Sequence, residues 1–372
     1  MNESHANKLE QEAQRVASRN PTQAQALMLE AAEIYLRLAE MTGQEKYMVK
    51  AQQLYQDSEG VGKTKVTMQD EQASVDFNKI IAKKPSISFK DIAGLQELKQ
   101  KIRLKIIEPF RRPDVYAHFG KKVGGGILMY GPPGCGKSLI AEATAGEAQA
   151  TFFSVKASDL KSKFVGETER NIAALFDEAR KRAPSIIFFD EFEALGEARN
   201  DAHSVNKGMI SQLLTEIDGM GSKNQQILLL AATNEPWMVD LALKRDGRFG
   251  TTLFVPHPDV VAREELIKLQ VADRPMDKGI STKKLALLTQ NYSGADLKGL
   301  VDGAVELAIE ESLASGQLRN VVMNDFLKIL KRKRPTTIAW YKQALKKATA
   351  SGESEMFSEL IEAGSKVLGI AG

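Results

Sequence analysis

Eight consecutive residues match the phosphate-binding pattern GxxxxGK[ST], directly after a predicted strand and at the start of a predicted helix. The glycines of this pattern let backbone N–H groups wrap around phosphate oxygens at a helix N-terminus. Lys137 would reach the β and γ oxygens of a nucleotide, and the Ser138 hydroxyl would bind Mg²⁺. The predicted nucleotide-binding segment consists of Gly131, Pro132, Pro133, Gly134, Cys135, Gly136, Lys137, Ser138 and Leu139.

Two adjacent carboxylates, Asp190 and Glu191, follow an apolar run at residues 185–189 that predicts a buried strand. In a parallel sheet, such a strand end lies beside the phosphate loop. We expect Asp190 to orient Mg²⁺ and its waters, and Glu191 to act as the general base that polarises the attacking water. The alternative is that both acids only cap the next helix.

Alternating strands and helices must position these groups. Short apolar segments rich in strand-forming residues alternate with amphipathic segments from residue 87 onward, which predicts a parallel sheet between helices. After Pro258 only helical patterns continue, at residues 263–271, 282–290 and 295–314, and they predict a helical lid. The five predicted strands are residues 126–130, 151–155, 185–189, 226–231 and 252–255.

The N-terminal segment has apolar residues at helical spacing, with breaks at Pro21 and Gly43, and predicts three short helices. A lower apolar content after residue 57 predicts a linker. We therefore divide the α/β chain into a helical module, a linker, a nucleotide-binding core, a lid and C-terminal helices. Their predicted bounds are residues 1–57, 58–86, 87–257, 258–334 and 335–372.

Composition excludes several classes of protein. The chain of 372 residues has one cysteine and four scattered histidines, so neither an internal disulfide nor a zinc site is expected. No apolar run approaches the roughly 20 residues of a membrane-spanning helix, and no secretory signal is visible, which predicts a cytoplasmic location. A net charge of +3 gives no general reason to expect nucleic acid.

Together with these motifs, Ala232-Thr233-Asn234 and the segment at residues 245–249 make the chain resemble AAA ATPases over residues 86–334. The opening segment at residues 87–95 is similar to the clade of katanin, spastin and the ATPase that disassembles ESCRT-III filaments. The resemblance implies the AAA+ fold, ATP and Mg²⁺ as ligands, and a ring of six identical subunits. It also implies that Asn234 is a sensor that helps to position the lytic water.

By the same resemblance, Arg245 and Arg248 are arginine fingers that reach the active site of the neighbouring subunit. The alternative is that they are ordinary surface arginines. Lys244, Asp246 and Gly250 depart from the family pattern, and Asp246 could pair with one finger and hold it back.

The resemblance places the adenine pocket at Asp91, Ile92 and Gly94, with the lid residues Gly294 and Ala295 nearby. Cys135 stands where the family more often has threonine. A helix N-terminus could lower the pKa of its thiol and invite oxidation, although we favour a neutral role as a small residue.

Lys163, Phe164, Val165 and Gly166 lie where the family carries its first pore loop. An aromatic and an aliphatic side chain can grip an extended polypeptide through apolar contacts that ignore its sequence. The alternative is that Phe164 is a core residue. A second pore loop is expected near residues 199–205.

Both ends of the chain leave alternatives open. The N-terminal helices resemble the microtubule-interacting and trafficking module, which implies docking to an adaptor, but a purely structural bundle has the same pattern. Near the C-terminus a basic cluster is either a solvated helix end, which we favour, or a nucleic-acid contact. The cluster consists of Lys328, Lys331, Arg332, Lys333 and Arg334.

We therefore predict Mg²⁺-dependent ATP hydrolysis in a hexameric ring, coupled to the threading, unfolding or disassembly of a protein substrate or filament. The alternative is an ATP-dependent remodeller of nucleic acid that uses the basic cluster. Intact Lys137, Glu191 and Asn234 argue against a scaffold that does not hydrolyse ATP.

Overall fold

The computed structural model describes residues 3–16, 21–60, 81–120, 125–160, 167–195, 205–220 and 226–370. The chain divides into two compact units, Met1–Gln72 and Ala73–Gly372. Each unit is described by itself.

The first unit is a bundle of three helices, as the breaks at Pro21 and Gly43 predict: α1 (Glu3–Val16), α2 (Pro21–Thr42) and α3 (Glu45–Gly60). Its core consists largely of alanine and tyrosine, with Tyr35 stacked on Tyr47 at 6.2 Å between ring centroids. The Tyr35 hydroxyl donates to Oδ1 of Asn7 on α1 at 2.6 Å. Small alanine side chains let the helices approach closely, so this short segment can form a packed core.

The second unit is built on a six-stranded sheet with the order β1-β3-β4-β5-β2-β6. Five of the strands are parallel, which confirms the predicted sheet. The order places the carboxyl ends of β4, β5 and β2 side by side, where parallel sheets bind ligands. The strands are β1 (Ile81–Lys83), β2 (Gly126–Tyr130), β3 (Thr151–Lys156), β4 (Ser185–Asp190), β5 (Ile227–Thr233) and β6 (Thr251–Phe254).

The sixth strand, β1, lies within the predicted linker and runs antiparallel to β3, with Ile81 opposite Ser154. Three residues are too few to show a period, so the sequence does not predict this strand. The last turn of α3 also extends into the predicted linker.

Helices cover both faces of the sheet. The two layers of buried side chains meet the sheet on opposite faces, with alternate residues of β4 such as Ile186 and Ile187 in different layers. A π-helical turn, Arg103–Ile107, joins the first two of these helices. The helices are α4 (Gln96–Ile102), α5 (Glu108–Arg111), α6 (Pro113–His118), α7 (Lys137–Ala148), α8 (Glu167–Lys181) and α9 (Val205–Met220).

A helical lid follows the sheet, as predicted, and it has its own apolar core around Leu297, Val301 and Phe326. Ser293 begins the longest lid helix with a capping box, in which its hydroxyl and the Asp296 carboxylate each accept a backbone N–H of the other residue. The lid helices are α10 (Val260–Val271), α11 (Thr282–Leu288), α12 (Gly294–Ser315) and α13 (Met323–Arg332).

Two C-terminal helices, α14 (Thr336–Ala350) and α15 (Ser358–Leu368), pack back onto the sheet. The buried side chains of Tyr341 in α14 and Phe357, just before α15, form one apolar cluster with Tyr130 of β2 and Phe254 of β6. The C-terminal helices therefore contact the strand that leads into the phosphate loop.

Candidate active site

The phosphate loop connects β2 to α7 in a conformation that requires glycine. Gly134 has a φ of 71°, and a Cβ added there would lie 2.6 Å from the Cβ of Ala295 in the lid. A Cβ added at Gly131 would lie 2.1 Å from the backbone oxygen of Val255. Glycine is thus needed for the fold of the loop and for the close approach of its neighbours.

Lys137, at the start of α7, has a side chain folded back over the loop and is only 8% exposed. Its ammonium donates to the carbonyls of Gly131 and Pro132, both at 2.9 Å, and to Oδ1 of Asn234 at 2.7 Å. Burial lowers the pKa of Lys137 to about 8, because the charged form loses hydration. A buried cation with only neutral acceptors is a group to which phosphate oxygens would bind strongly.

Ser138 and Asp190 fit a magnesium site. The Ser138 hydroxyl donates to Oδ2 of Asp190 at 2.7 Å, so a hydroxyl and a carboxylate from two different elements already share one position. Magnesium prefers oxygen ligands and keeps several of its waters, so one or two protein ligands of this kind suffice.

Glu191 follows β4 with a φ of 53°, a left-handed conformation that is uncommon outside glycine. Its side chain is exposed, and Oε1 lies 3.7 Å from Nζ of Lys156 at the end of β3. The turn separates Glu191 from Asp190, whose carboxylate faces Ser138. The two adjacent acids are therefore free to take different roles.

Asn234 follows β5 and is held on three sides. Its carboxamide oxygen accepts from Lys137, its backbone N–H donates to Oε1 of Glu193 at 3.4 Å, and its backbone oxygen accepts from the indole N–H of Trp340 at 2.9 Å. The other oxygen of Glu193, Oε2, is buried without a hydrogen-bond partner among the described residues. Sequence reasoning missed Glu193 and Trp340. A third acid after the Asp-Glu pair was a signal for Glu193, whereas the sequence carries none for Trp340.

The two predicted finger arginines differ in their surroundings. Arg248 forms a bidentate pair with Asp218 of α9, at 3.0 and 2.8 Å, and donates to the Ala242 carbonyl at 2.9 Å. Arg245 is exposed. Within the described part of the chain, neither side chain bonds to a residue of its own nucleotide site. The suggestion that Asp246 restrains a finger is wrong for this structure, because Asp218 at the end of α9 is the partner.

The lid closes against the phosphate loop. The Ala295 N–H donates to the Gly134 carbonyl at 3.2 Å, and Gly294 lies beside the same oxygen. Gly294 and Ala295 therefore lie against the phosphate loop, and their place beside adenine stays a prediction. The backbone of the lid therefore contacts the phosphate loop directly.

The segment expected to line the adenine pocket forms a short 3-10 turn. Asp91 accepts from the N–H of Ser88 at 2.7 Å in a capping box, so its carboxylate serves the backbone in this structure. Ile92 is buried, and Gly94 lies against Ala262 at the start of α10. The segment is thus fixed between the core and the first lid helix.

Cys135 is buried in the apolar layer on the α7 face of the sheet. Burial raises the pKa of its thiol to about 12, which outweighs the attraction of Lys137. The structure therefore favours the neutral role as a small residue over an oxidisable thiolate.

Residues 163–166 and 199–204, which include the predicted pore loops, lie outside the residues that the structure describes.

Two family models match the chain. Residues 127–257 match the ATPase family associated with various cellular activities (AAA), and residues 279–328 match the AAA+ lid domain. The chain contains an AAA ATPase domain with its AAA+ lid.

A curated relative and a solved structure are similar to the chain. The cell division cycle protein 48 homolog of Archaeoglobus fulgidus is 37% identical over 292 residues, which cover 77% of this chain and 39% of that protein. The chain thus spans about two fifths of the length of this relative. The crystal structure of the FIGL-1 AAA domain superposes with a TM-score of 0.64 at 29% identity, and the match covers 76% of this chain and 98% of that one.

Among the described residues, no helix is both long and apolar enough to cross a membrane.

Proposed function

We propose that the chain is a Mg²⁺-dependent ATPase that assembles into a hexameric ring and uses hydrolysis to thread, unfold or disassemble a protein substrate or filament. The observation that carries the chemical part is the convergence of three separate segments. Lys137 contacts Asn234, and Ser138 contacts Asp190. These contacts bring the phosphate loop, the end of β4 and the end of β5 to one point.

Each residue has a distinct task in this proposal. The Lys137 ammonium exchanges its neutral acceptors for phosphate oxygens, since charge-assisted hydrogen bonds are stronger. Ser138 and Asp190 hold Mg²⁺, which neutralises charge on the phosphates when bound. Glu191 accepts a proton from the attacking water, and Asn234 orients that water through its carboxamide.

The surroundings of Arg245 and Arg248 support the proposed ring. Neither Arg245 nor Arg248 bonds to its own nucleotide site within the described residues, yet phosphoryl transfer gains greatly from a positive group at the γ-phosphate. A neighbouring subunit would supply it. The deciding experiment is light scattering on the Glu191→Gln variant with and without Mg²⁺ATP, together with wild-type ATPase rates at several protein concentrations.

An increase to about six subunits, with specific activity that rises with concentration, is the expected result. A persistent monomer with constant specific activity would remove the ring and the threading with it. Hydrolysis by a single subunit would then be the only part of the proposal that remains.

Threading is assigned to residues 163–166 on their sequence alone. Phe164→Ala is expected to keep ATP hydrolysis near the wild-type rate and to lose protein remodelling, since the aromatic ring supplies grip rather than chemistry. If Phe164→Ala remodels a test protein as well as wild type does, this assignment is contradicted. Membership of the katanin and spastin clade, a cytoplasmic location and adaptor docking through α1–α3 remain parts of the same proposal.

A further inference from the structure

The basic cluster near the C-terminus lines an open groove in the lid, which we call the lid groove. Its walls are the turn between α11 and α12, one side of α13 and the first turns of α14, and its volume is about 900 Å³. Most of its lining side chains are exposed or half-buried, so the groove opens to solvent.

Partly buried hydrogen bonds fix the walls of the groove relative to each other. The Tyr292 hydroxyl donates to the backbone oxygen of Lys333 at 2.6 Å. The backbone N–H and the hydroxyl of Thr336 both donate to Oδ2 of Asp296, at 3.1 and 2.9 Å. Asp296 is 4% exposed and also caps α12. The groove is therefore pre-formed, which lowers the entropic cost of binding a partner.

The floor of the groove is aliphatic. Leu327, Leu330 and Ile338 lie half-buried along it, and Leu288 at its edge is 47% exposed. Contiguous exposed apolar surface bordered by polar groups is typical of interaction sites. The Tyr292 ring is buried and its hydroxyl is already bonded, so the described lining offers no aromatic platform on which a nucleic-acid base could stack.

The rim of the groove carries charge of one sign. None of its described lining residues is acidic. Lys328 pairs with Glu311 at 3.2 Å, whereas Lys331, Arg334 and Lys342 have no ion-pair partner among the described residues. An aliphatic floor with an unpaired basic rim complements a ligand that is apolar on one side and acidic on the other.

We propose that the lid groove is a docking site for an acidic amphipathic helix of a partner protein. The apolar face of such a helix would lie on Leu327, Leu330 and Ile338, as in other helix-in-groove complexes. Its carboxylates would pair with Lys331, Arg334 and Lys342 at the rim. The groove shares no lining residue with the nucleotide site.

The test uses a fluorescein-labelled helical peptide of about four turns, with leucines on one face and glutamates on the other, and follows its anisotropy on titration with the full chain. Binding by wild type is expected, and Lys331→Glu and Lys342→Glu should each weaken it by about tenfold. Arg332→Glu is the matched control, because Arg332 belongs to the same basic cluster and is exposed but does not line the groove. It should change the affinity by less than about twofold.

A second pair of variants tests the floor. Leu288→Gln should weaken binding of the peptide. Leu318→Gln should leave it unchanged, because Leu318 is 99% exposed and lies outside the groove. Circular dichroism spectra that match wild type would show that each variant folds.

Four results would overturn the proposal. The first is no binding of the peptide to wild type, and the second is equal weakening by Arg332→Glu and Lys331→Glu. The third is equal or tighter binding of a same-charge peptide with serine in place of leucine, or of a poly-uridine strand of similar length. That last result would show a polyanion site instead. Loss of self-association in Lys331→Glu with unchanged peptide binding would assign the groove to a second copy of the chain, and would overturn it equally.

Discussion

The guanidinium of Arg248 binds both carboxylate oxygens of Asp218, at 3.0 and 2.8 Å, within one subunit. The hydrogen bond from Arg248 lowers the pKa of the Asp218 carboxyl. In the proposed ring, Arg248 would approach the neighbouring subunit with its guanidinium already held by Asp218. A variant of Arg248 loses both the finger and the pair, whereas a variant of Asp218 loses only the pair. Comparing the two therefore distinguishes loss of the finger from loss of stability.

Arg248→Ala is expected to lower kcat by about 10³-fold or more, the usual effect of losing an arginine finger. The Arg248 and Asp218 side chains are 21% and 54% exposed, so solvent weakens the pair and the melting temperature should fall by no more than about 4 °C. Asp218→Asn breaks the pair but keeps the guanidinium, so it should retain most of the activity. ATPase assays and thermal unfolding of both variants test this prediction.

Mixing Arg248→Ala with Glu191→Gln tests action between subunits. An Arg248→Ala subunit keeps its own Glu191 and can take the finger from a Glu191→Gln neighbour, so the mixture should recover activity that neither variant has alone. A mixture as inactive as its components would place Arg248 in the site of its own subunit.

Trp340→Phe should lower kcat for ATP hydrolysis by about tenfold and leave the KM for ATP nearly unchanged. The indole N–H of Trp340 bonds to the backbone oxygen of Asn234, whose carboxamide contacts Lys137. Loss of this bond costs only about 1 kcal/mol of stability, but small displacements of a positioning group cost much more in rate.

Trp237→Phe is the matched control for this effect. Trp237 lies next to Trp340, with ring centroids 6.4 Å apart, but its indole N–H has no hydrogen bond among the described residues. Equal losses of kcat in both variants would mean that aromatic packing, rather than the bond to Asn234, supports the rate.

Lys244→Met should destabilise the chain by about 3 to 5 kcal/mol, because it leaves the Glu353 carboxylate without its buried partner. The two side chains are 2% and 15% exposed, and the ion pair measures 2.7 Å. Urea unfolding measures the change. The double variant Lys244→Met with Glu353→Leu should recover most of the loss, and a double variant as unstable as the single one would contradict the explanation.

Alkylation of Cys135 by iodoacetamide should be slow in the folded chain at pH 8. Its pKa of about 12 leaves little thiolate at that pH, and the thiolate is the reactive form. The rate should rise about tenfold per pH unit below the pKa and should approach that of a free thiol in urea. Cys135 is the only cysteine, so total labelling measured by mass spectrometry reports it alone. Rapid labelling of the folded chain at pH 8 would show that the thiol is not buried.

The sequence predicts the parts of the site that depend on neighbouring residues. The phosphate loop is one continuous segment, and the position of Asp190 follows from the rule that parallel strands end at one edge of the sheet. The sequence does not predict the contacts between distant segments. Trp340 reaches Asn234 across 106 positions, and Asp218 reaches Arg248 across 30, without a pattern in either segment that would predict the pair.

The edge strand β1 has a consequence for how the second unit can be isolated. It covers the open side of β3, whose residues Phe152 and Phe153 are buried. A fragment that begins at residue 87, the predicted start of the core, would lack β1 and leave β3 with unpaired backbone groups along an apolar strand. Such an edge pairs readily with another molecule, so we expect that fragment to aggregate and one that begins before residue 81 to stay dispersed.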